Sequence, residues 1–170
     1  MFICTTMVGS PSIVKTEVEC LRMTKTVISR RLNTWRNYEI FREKGDIMGL
    51  DMFLDGIYEE DGKTLREQVI YWRKANQVHN WFVLNAQDGE DNCKPCYVSK
   101  EQLVELKDLC EQVIEDNDKA EELLPTKAGF FFGSIDFDEG YFFDLEYTVK
   151  KIGEVLEDER FTYFEYCSWW

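Results

Sequence analysis

Four groups of residues have side chains and spacings that could do chemistry. Cys93-Lys94-Pro95-Cys96 is a dithiol with the spacing of redox centres and of half a zinc site. Such a pair is reactive when it opens a helix after a strand, because the helix N-terminus stabilises the thiolate. Here it follows Glu90 and Asp91 and precedes a strand-like Cys96-Tyr97-Val98, so the local charge raises the thiol pKa. Zinc would need Cys110, Cys167 or His79 brought in from elsewhere, and the expectation is no bound metal. His79 is the single histidine, which limits acid–base catalysis near neutral pH. Trp72, Asn76 and His79 are spaced by four and three residues and, with Arg73 at the edge, form a candidate face for a small molecule or nucleotide. The competing structural reading is a histidine satisfied by a neighbouring carboxylate or carbonyl. Asp136, Asp138 and Glu139 have the residue types of a divalent-cation site, or else make a turn and a helix N-cap. No nucleophile elbow, phosphate loop, metalloprotease or dinucleotide fingerprint occurs, so the expected function is non-enzymatic and cofactor-free.

The fourth group is the carboxylates. The chain of 170 residues carries 20 Lys and Arg against 33 Asp and Glu, a net charge of -13. Residues 1–47 hold eight basic and five acidic residues, net +3, which leaves 12 against 28, net -16, for 48–170. Glu101, Glu105, Asp108, Glu111, Glu115, Asp118 and Glu122 recur every three or four residues, opposite Leu103, Leu106 and Cys110, so one helix face is expected to be negative. That face either meets a cationic partner or only keeps the protein soluble. An acidic balance argues against direct nucleic-acid binding and against an anionic membrane surface. No apolar run is long enough to span a membrane, and no secretory signal opens the chain, so the expected location is the cytoplasm with reduced cysteines. Trp169 and Trp170 are either exposed binding anchors or docked on the sheet.

The elements that must position these residues follow from periodicity. Leu50 to Tyr58 and Gln68 to Tyr71 read as strands joined around Asp61-Gly62-Lys63. Ala75, Val78, Trp81, Phe82 and Asn85 mark a helix over 74–85. Ser99 and Gln102 form a capping box for the clearest helix, and Leu123-Leu124-Pro125 ends a second helical piece. Gly129-Phe130-Phe131-Phe132-Gly133 is expected to be a buried strand, Phe142 to Leu156 a helix, and Phe161 to Tyr166 a final strand. The pattern predicts an α+β fold: a small antiparallel sheet covered on one side by about three helices, with an extra N-terminal helical segment. Domain limits are expected at 1–47, a basic amphipathic segment carrying Val14, Val18, Leu21, Ile28, Leu32 and Trp35, and 48–170, the acidic domain. Lys44-Gly45-Asp46 can be encoded as a purine-rich ribosome-binding sequence just before the Met48 codon, which makes Met48 a candidate native start.

Met48-Gly49-Leu50-Asp51-Met52-Phe53-Leu54, the run Tyr71 to Phe82 (Tyr-Trp-Arg-Lys-Ala-Asn-Gln-Val-His-Asn-Trp-Phe) and Gly129 to Ser134 together resemble a family of small phage and prophage proteins, over residues 48–170. The final Ser168-Trp169 pair is similar as well, whereas residues 1–47 depart from it. The resemblance brings no catalytic residues. It implies a phage setting, in which small acidic proteins disable host defences by binding them. The leading expectation is therefore an anti-CRISPR-like inhibitor whose acidic surface blocks the nucleic-acid site of a basic host protein such as a defence nuclease. The alternative is a small-molecule or nucleotide-sequestering protein using the Trp72, Arg73, Asn76 and His79 face.

Overall fold

A computed structural model describes residues 49–170 of the chain. The expected N-terminal helical segment and the expected boundary at 47/48 lie outside the described residues. Strands β1 (Asp51–Glu60), β2 (Lys63–Arg73), β3 (Cys96–Val98) and β4 (Tyr163–Trp169) form one antiparallel sheet in the order β2-β1-β4-β3. Helices α1 (Asn76–Ala86), α2 (Lys100–Glu115), the short α3 (Ala120–Leu123) and α4 (Glu139–Leu156) connect or flank them. The α+β class expected from periodicity is the class observed.

The β1–β2 hairpin closes on a two-residue loop. Glu60 pairs with Lys63, and Asp61 and Gly62 both adopt positive φ, +52° and +69°. Two left-handed residues are what a tight hairpin needs to match the strand twist, and an Asp-Gly pair adopts them most cheaply. Further along, Leu54 pairs with Ile70 but Asp55 pairs with Gln68, which leaves Val69 as a bulge. The alternation then places Met52, Leu54, Ile70, Trp72, Val98, Phe164 and Tyr166 on one sheet face, all buried in one core with Leu103, Leu106, Leu145 and Ile152 of the helices. Phe82 of α1 stacks on Tyr166 at 3.9 Å between ring centroids, and Trp72 donates its indole N–H to Thr148 Oγ1 of α4 at 2.9 Å. On the opposite face Arg66 pairs with Asp55 of β1 and Glu165 of β4, tying three strands together.

The α2 N-terminus is capped as its sequence implies. Ser99 Oγ accepts from the Gln102 N–H at 3.2 Å, and Gln102 Oε1 accepts from the Ser99 N–H at 2.9 Å. The backbone leaves the helix at Asp116, with φ -140°, and resumes only as a short turn, so Asp118 and Glu122 do not continue the α2 face. This corrects the single uninterrupted acidic stripe expected from spacing.

Residues 129–133 are not a strand. Gly129 to Phe132 make a turn, in which the Phe132 N–H donates to the Gly129 carbonyl at 3.2 Å and Phe131 adopts φ +66°. Only Phe132 is buried, while Phe130 is 82% exposed. Gly129 is required because an added Cβ would meet the Phe132 ring at 2.5 Å. The segment is held by a side chain instead of a ladder. Asn76 donates its amide to the carbonyls of Phe132 (3.2 Å) and Ser134 (2.7 Å), and its carbonyl oxygen accepts from the Lys127 N–H (3.0 Å).

Close approach decides one more glycine. At Gly56, in the middle of β1, a Cβ would stand 2.4 Å and 2.5 Å from ring carbons of Phe161. Gly56→Ala should therefore lower unfolding stability by about 1–3 kcal/mol in a urea titration, the usual cost of overpacking a tight core. An unchanged midpoint would show that the Phe161 ring moves aside freely.

Candidate functional site

The expected ligand face around His79 is closed. Trp72 and Arg73 belong to β2, not to the helix, so they point to opposite sides of a strand. Trp72, Asn76 and His79 are buried, with every named polar atom used inside the fold. Arg73 stays on the surface, 3.8 Å from Asp51. The imidazole of His79 lies between two partners. Its Nε2 is 3.0 Å from Asp91 Oδ2 and its Nδ1 is 2.8 Å from the Tyr166 hydroxyl. A carboxylate only accepts, so Nε2 carries the proton, and Nδ1 accepts from the Tyr166 O–H. Burial holds the His79 pKa below the ordinary histidine range against the pull of Asp91. Burial also acts to raise the Asp91 pKa, but hydrogen bonds from Lys127 and His79 outweigh it and leave the carboxylate more acidic than usual. Lys127 Nζ lies 2.9 Å from Asp91, and the Trp170 indole N–H donates to its other oxygen at 3.1 Å. This phenol–imidazole–carboxylate series has the order of a catalytic relay, but the imidazole is fully enclosed and cannot reach a substrate.

The cysteines are similarly quiet. Cys93, Cys96, Cys110 and Cys167 are free thiols, and the first, second and fourth gather where β3 meets β4, with Cys167 Sγ 3.5 Å from the Cys93 carbonyl. Burial pushes the Cys96 and Cys167 thiols up to about 11 and that of Cys110, enclosed on α2, up to about 12. The negative charge of the 90–91 loop, named above as the cause, acts only on Cys93, and there it is secondary to burial. Among the described residues no group of three or more His, Cys, Asp or Glu is arranged to hold a metal ion. Asp138 is a helix cap: its Oδ1 accepts from the Tyr141 N–H at 3.0 Å at the start of α4. Asp136 accepts from Ser134, whose hydroxyl is 3.4 Å away.

The acidic residues are presented outward. Glu101, Glu105, Asp108 and Glu115 on α2, Asp118 in the turn after it and Glu122 on α3 are exposed. Glu111 is half-buried and pairs with Lys107 at 2.6 Å. Among the described residues none of the other six forms an ion pair with Lys or Arg, although Glu101 accepts hydrogen bonds from its own backbone and from Ser99 and lies near Lys100, which together hold its pKa below the usual range. Trp169 and Trp170 are 45% and 53% exposed, and Trp170 is partly docked, its ring 5.8 Å from Phe132.

Comparison with family models, with curated proteins and with solved structures finds no match to this chain. Any function must therefore be read from its own surface. That surface holds residues which periodicity missed: Phe130, Ile135, Phe137 and Phe143 are all exposed. A triple phenylalanine bracketed by glycines looked like core. The contrary signal was its setting, three residues before the acidic Asp136-Phe137-Asp138-Glu139 and without polar alternation. Among the described residues no helix is long and apolar enough to cross a membrane.

Asp144 of α4 lies beside these phenylalanines. Burial pushes its pKa up to about 6, with Asp138 adding to the rise and a hydrogen bond from Gln77 opposing it. A carboxyl that stays protonated longer in the folded chain favours folding below its ordinary value of 3.8 and loses that contribution as pH rises to about 6. Asp144→Asn, a neutral mimic of the protonated acid, should match the parent in thermal melts at low pH and become the more stable of the two as pH climbs through that window. A constant difference across pH would show that burial does not control this carboxyl.

Proposed function

We propose that the protein is a non-catalytic inhibitor that binds a basic host protein through its acidic surface. The carboxylates of α2 and α3 would meet Lys and Arg side chains that otherwise hold nucleic acid. The observation that supports this reading is that Glu101, Glu105, Asp108, Glu115, Asp118 and Glu122 are exposed on consecutive helical segments and, among the described residues, form no ion pair with Lys or Arg. Like charges at helical spacing cost a few tenths of a kcal/mol per pair. Among the described residues no Lys or Arg neutralises them at ion-pair distance. A basic partner recovers that cost on binding, and the long-range field raises the encounter rate. The resemblance of residues 48–170 to small phage proteins makes a defence nuclease of the host cytoplasm, such as a CRISPR effector, the partner to test first.

One α2 helix carries about one charge per 5.4 Å turn, against one per about 1.7 Å along duplex DNA. Complete mimicry of a phosphate backbone therefore needs more than this helix. Glu154, Glu157 and Glu159 at the end of α4 add exposed carboxylates, although Glu154 is paired with Lys151 at 2.6 Å. The small-molecule reading loses its site, because Trp72, Asn76 and His79 are engaged within the core.

A cleavage assay with a guide-loaded nuclease tests the proposal. The parent protein should slow cleavage, and raising salt from low to physiological strength should weaken it severalfold through screening. Neutralising four carboxylates together (Glu101→Gln, Glu105→Gln, Asp108→Asn, Glu115→Gln) should weaken inhibition by about tenfold or more if each exposed pair contributes a few tenths of a kcal/mol to 1 kcal/mol. Inhibition indifferent to both salt and these substitutions would overturn the reading.

A further inference from the structure

We propose that the outward face of the first turns of α4 is the docking site for a basic amphipathic helix of the partner. A shallow, open depression of about 520 Å³ is lined there by Phe137, Asp138, Glu139, Phe142, Phe143 and Glu146. This deepens the reading above and rests on it, since it assigns the anchor point of the same cationic partner.

The placement follows from helix geometry. Tyr141, Leu145, Thr148, Ile152 and Val155 turn α4 into the core, so Glu139, Phe143 and Glu146 share the opposite side, with Phe142, partly packed on the core, at its margin. Phe137, held edge-on to Tyr141 at 5.1 Å, extends this row by one ring before the helix starts. Phe137 and Phe143 keep 41% and 66% of their surface exposed. Exposed apolar patches rimmed by polar groups mark contact sites. Among the described residues neither Glu139 nor Glu146 has a cationic partner. α2 packs beside α4, so the unpaired carboxylates and these rings belong to one helical layer.

Charge decides the chemistry of the occupant. A second copy docked face to face would set the same carboxylates against each other, which is repulsive. An anionic lipid surface is disfavoured by the same carboxylates. The depression is too open to enclose a small ligand, which a binding pocket normally buries over most of its surface. A helix with aliphatic anchors at i, i+3 or i+4 and Lys or Arg at their flanks satisfies both components: its anchors cover the rings, and its cations lie over ring faces and reach Glu139 and Glu146.

The test is titration of isotope-labelled full-length protein with three synthetic helical peptides, followed by amide NMR shifts: a Leu/Lys amphipathic helix, a Ser/Lys helix of equal charge and a Leu/Glu helix. The Leu/Lys peptide should shift residues 137–146. Phe143→Ser and Glu146→Lys, both surface changes whose folding the same spectra verify, should each weaken it about tenfold, as expected for an interface anchor. The four-carboxylate α2 variant should bind the peptide as the parent does. Equal binding of the Ser/Lys or the Leu/Glu peptide, or shifts mapping to α2, would overturn the proposal. Failure of the peptide with nuclease inhibition intact would remove this docking site and leave the inhibitor reading standing. Peptide binding with no effect on the nuclease would do the reverse.

Discussion

A neutral imidazole buried between a phenol and a carboxylate is the constraint on which the rest of the structure depends. His79 satisfies both ring nitrogens, with Tyr166 and Asp91, and thereby joins α1 to β4 and to the loop before β3. Asp91 in turn holds Lys127 and the C-terminal Trp170. Each hydrogen bond contributes only about 1 kcal/mol net, but removing one partner leaves a buried polar atom unsatisfied, which costs more than the bond supplied. The network is therefore kept or lost as a unit. It also explains the absence of a ligand face on α1, because the polar side chains that could have bound a ligand hold the fold together.

Asn76, one turn earlier, performs the matching task for the 126–134 segment. A single carboxamide supplies three hydrogen bonds to backbone groups that have no sheet partner. With the backbone satisfied in this way and Phe132 inserted beside His79 at 5.3 Å, Phe130 and Phe131 are carried outward. The consequence for function is a division of labour. The polar side chains of α1 are enclosed, whereas the carboxylates of α2 and the phenylalanines Phe130, Phe137 and Phe143 remain outside.

Local signals in the chain were legible wherever the physics is local. The Ser99/Gln102 capping box, the Asp61-Gly62 hairpin loop, the short Cys96–Val98 strand and the apolar stripe of α4 all involve residues within about one or two turns of each other. Exposure of the α2 carboxylates follows from the same stripe, since burying Leu103, Leu106, Cys110 and Val113 leaves Glu101, Glu105 and Asp108 outward. What failed depended on distant partners. Nothing near Gly129 states that Asn76, more than fifty positions away, replaces the strand ladder. Nothing near Asn76 states that Trp72 lies in a strand, since Lys74 must adopt φ +64° to break the periodicity between them.

By itself, then, the order of residues determined the fold class, the start of α2 and which side of that helix is negative, because capping, turn geometry and apolar spacing act over a few bonds. Only the tertiary structure decided that His79 is a structural bridge, that Cys93, Cys96 and Cys167 gather where β3 meets β4, and that Phe137 and Phe143 face solvent beside Glu139 and Glu146. Those outcomes depend on which side chains arrive from other elements to neutralise, hydrogen-bond or cover a group. No spacing along the chain records such an arrival.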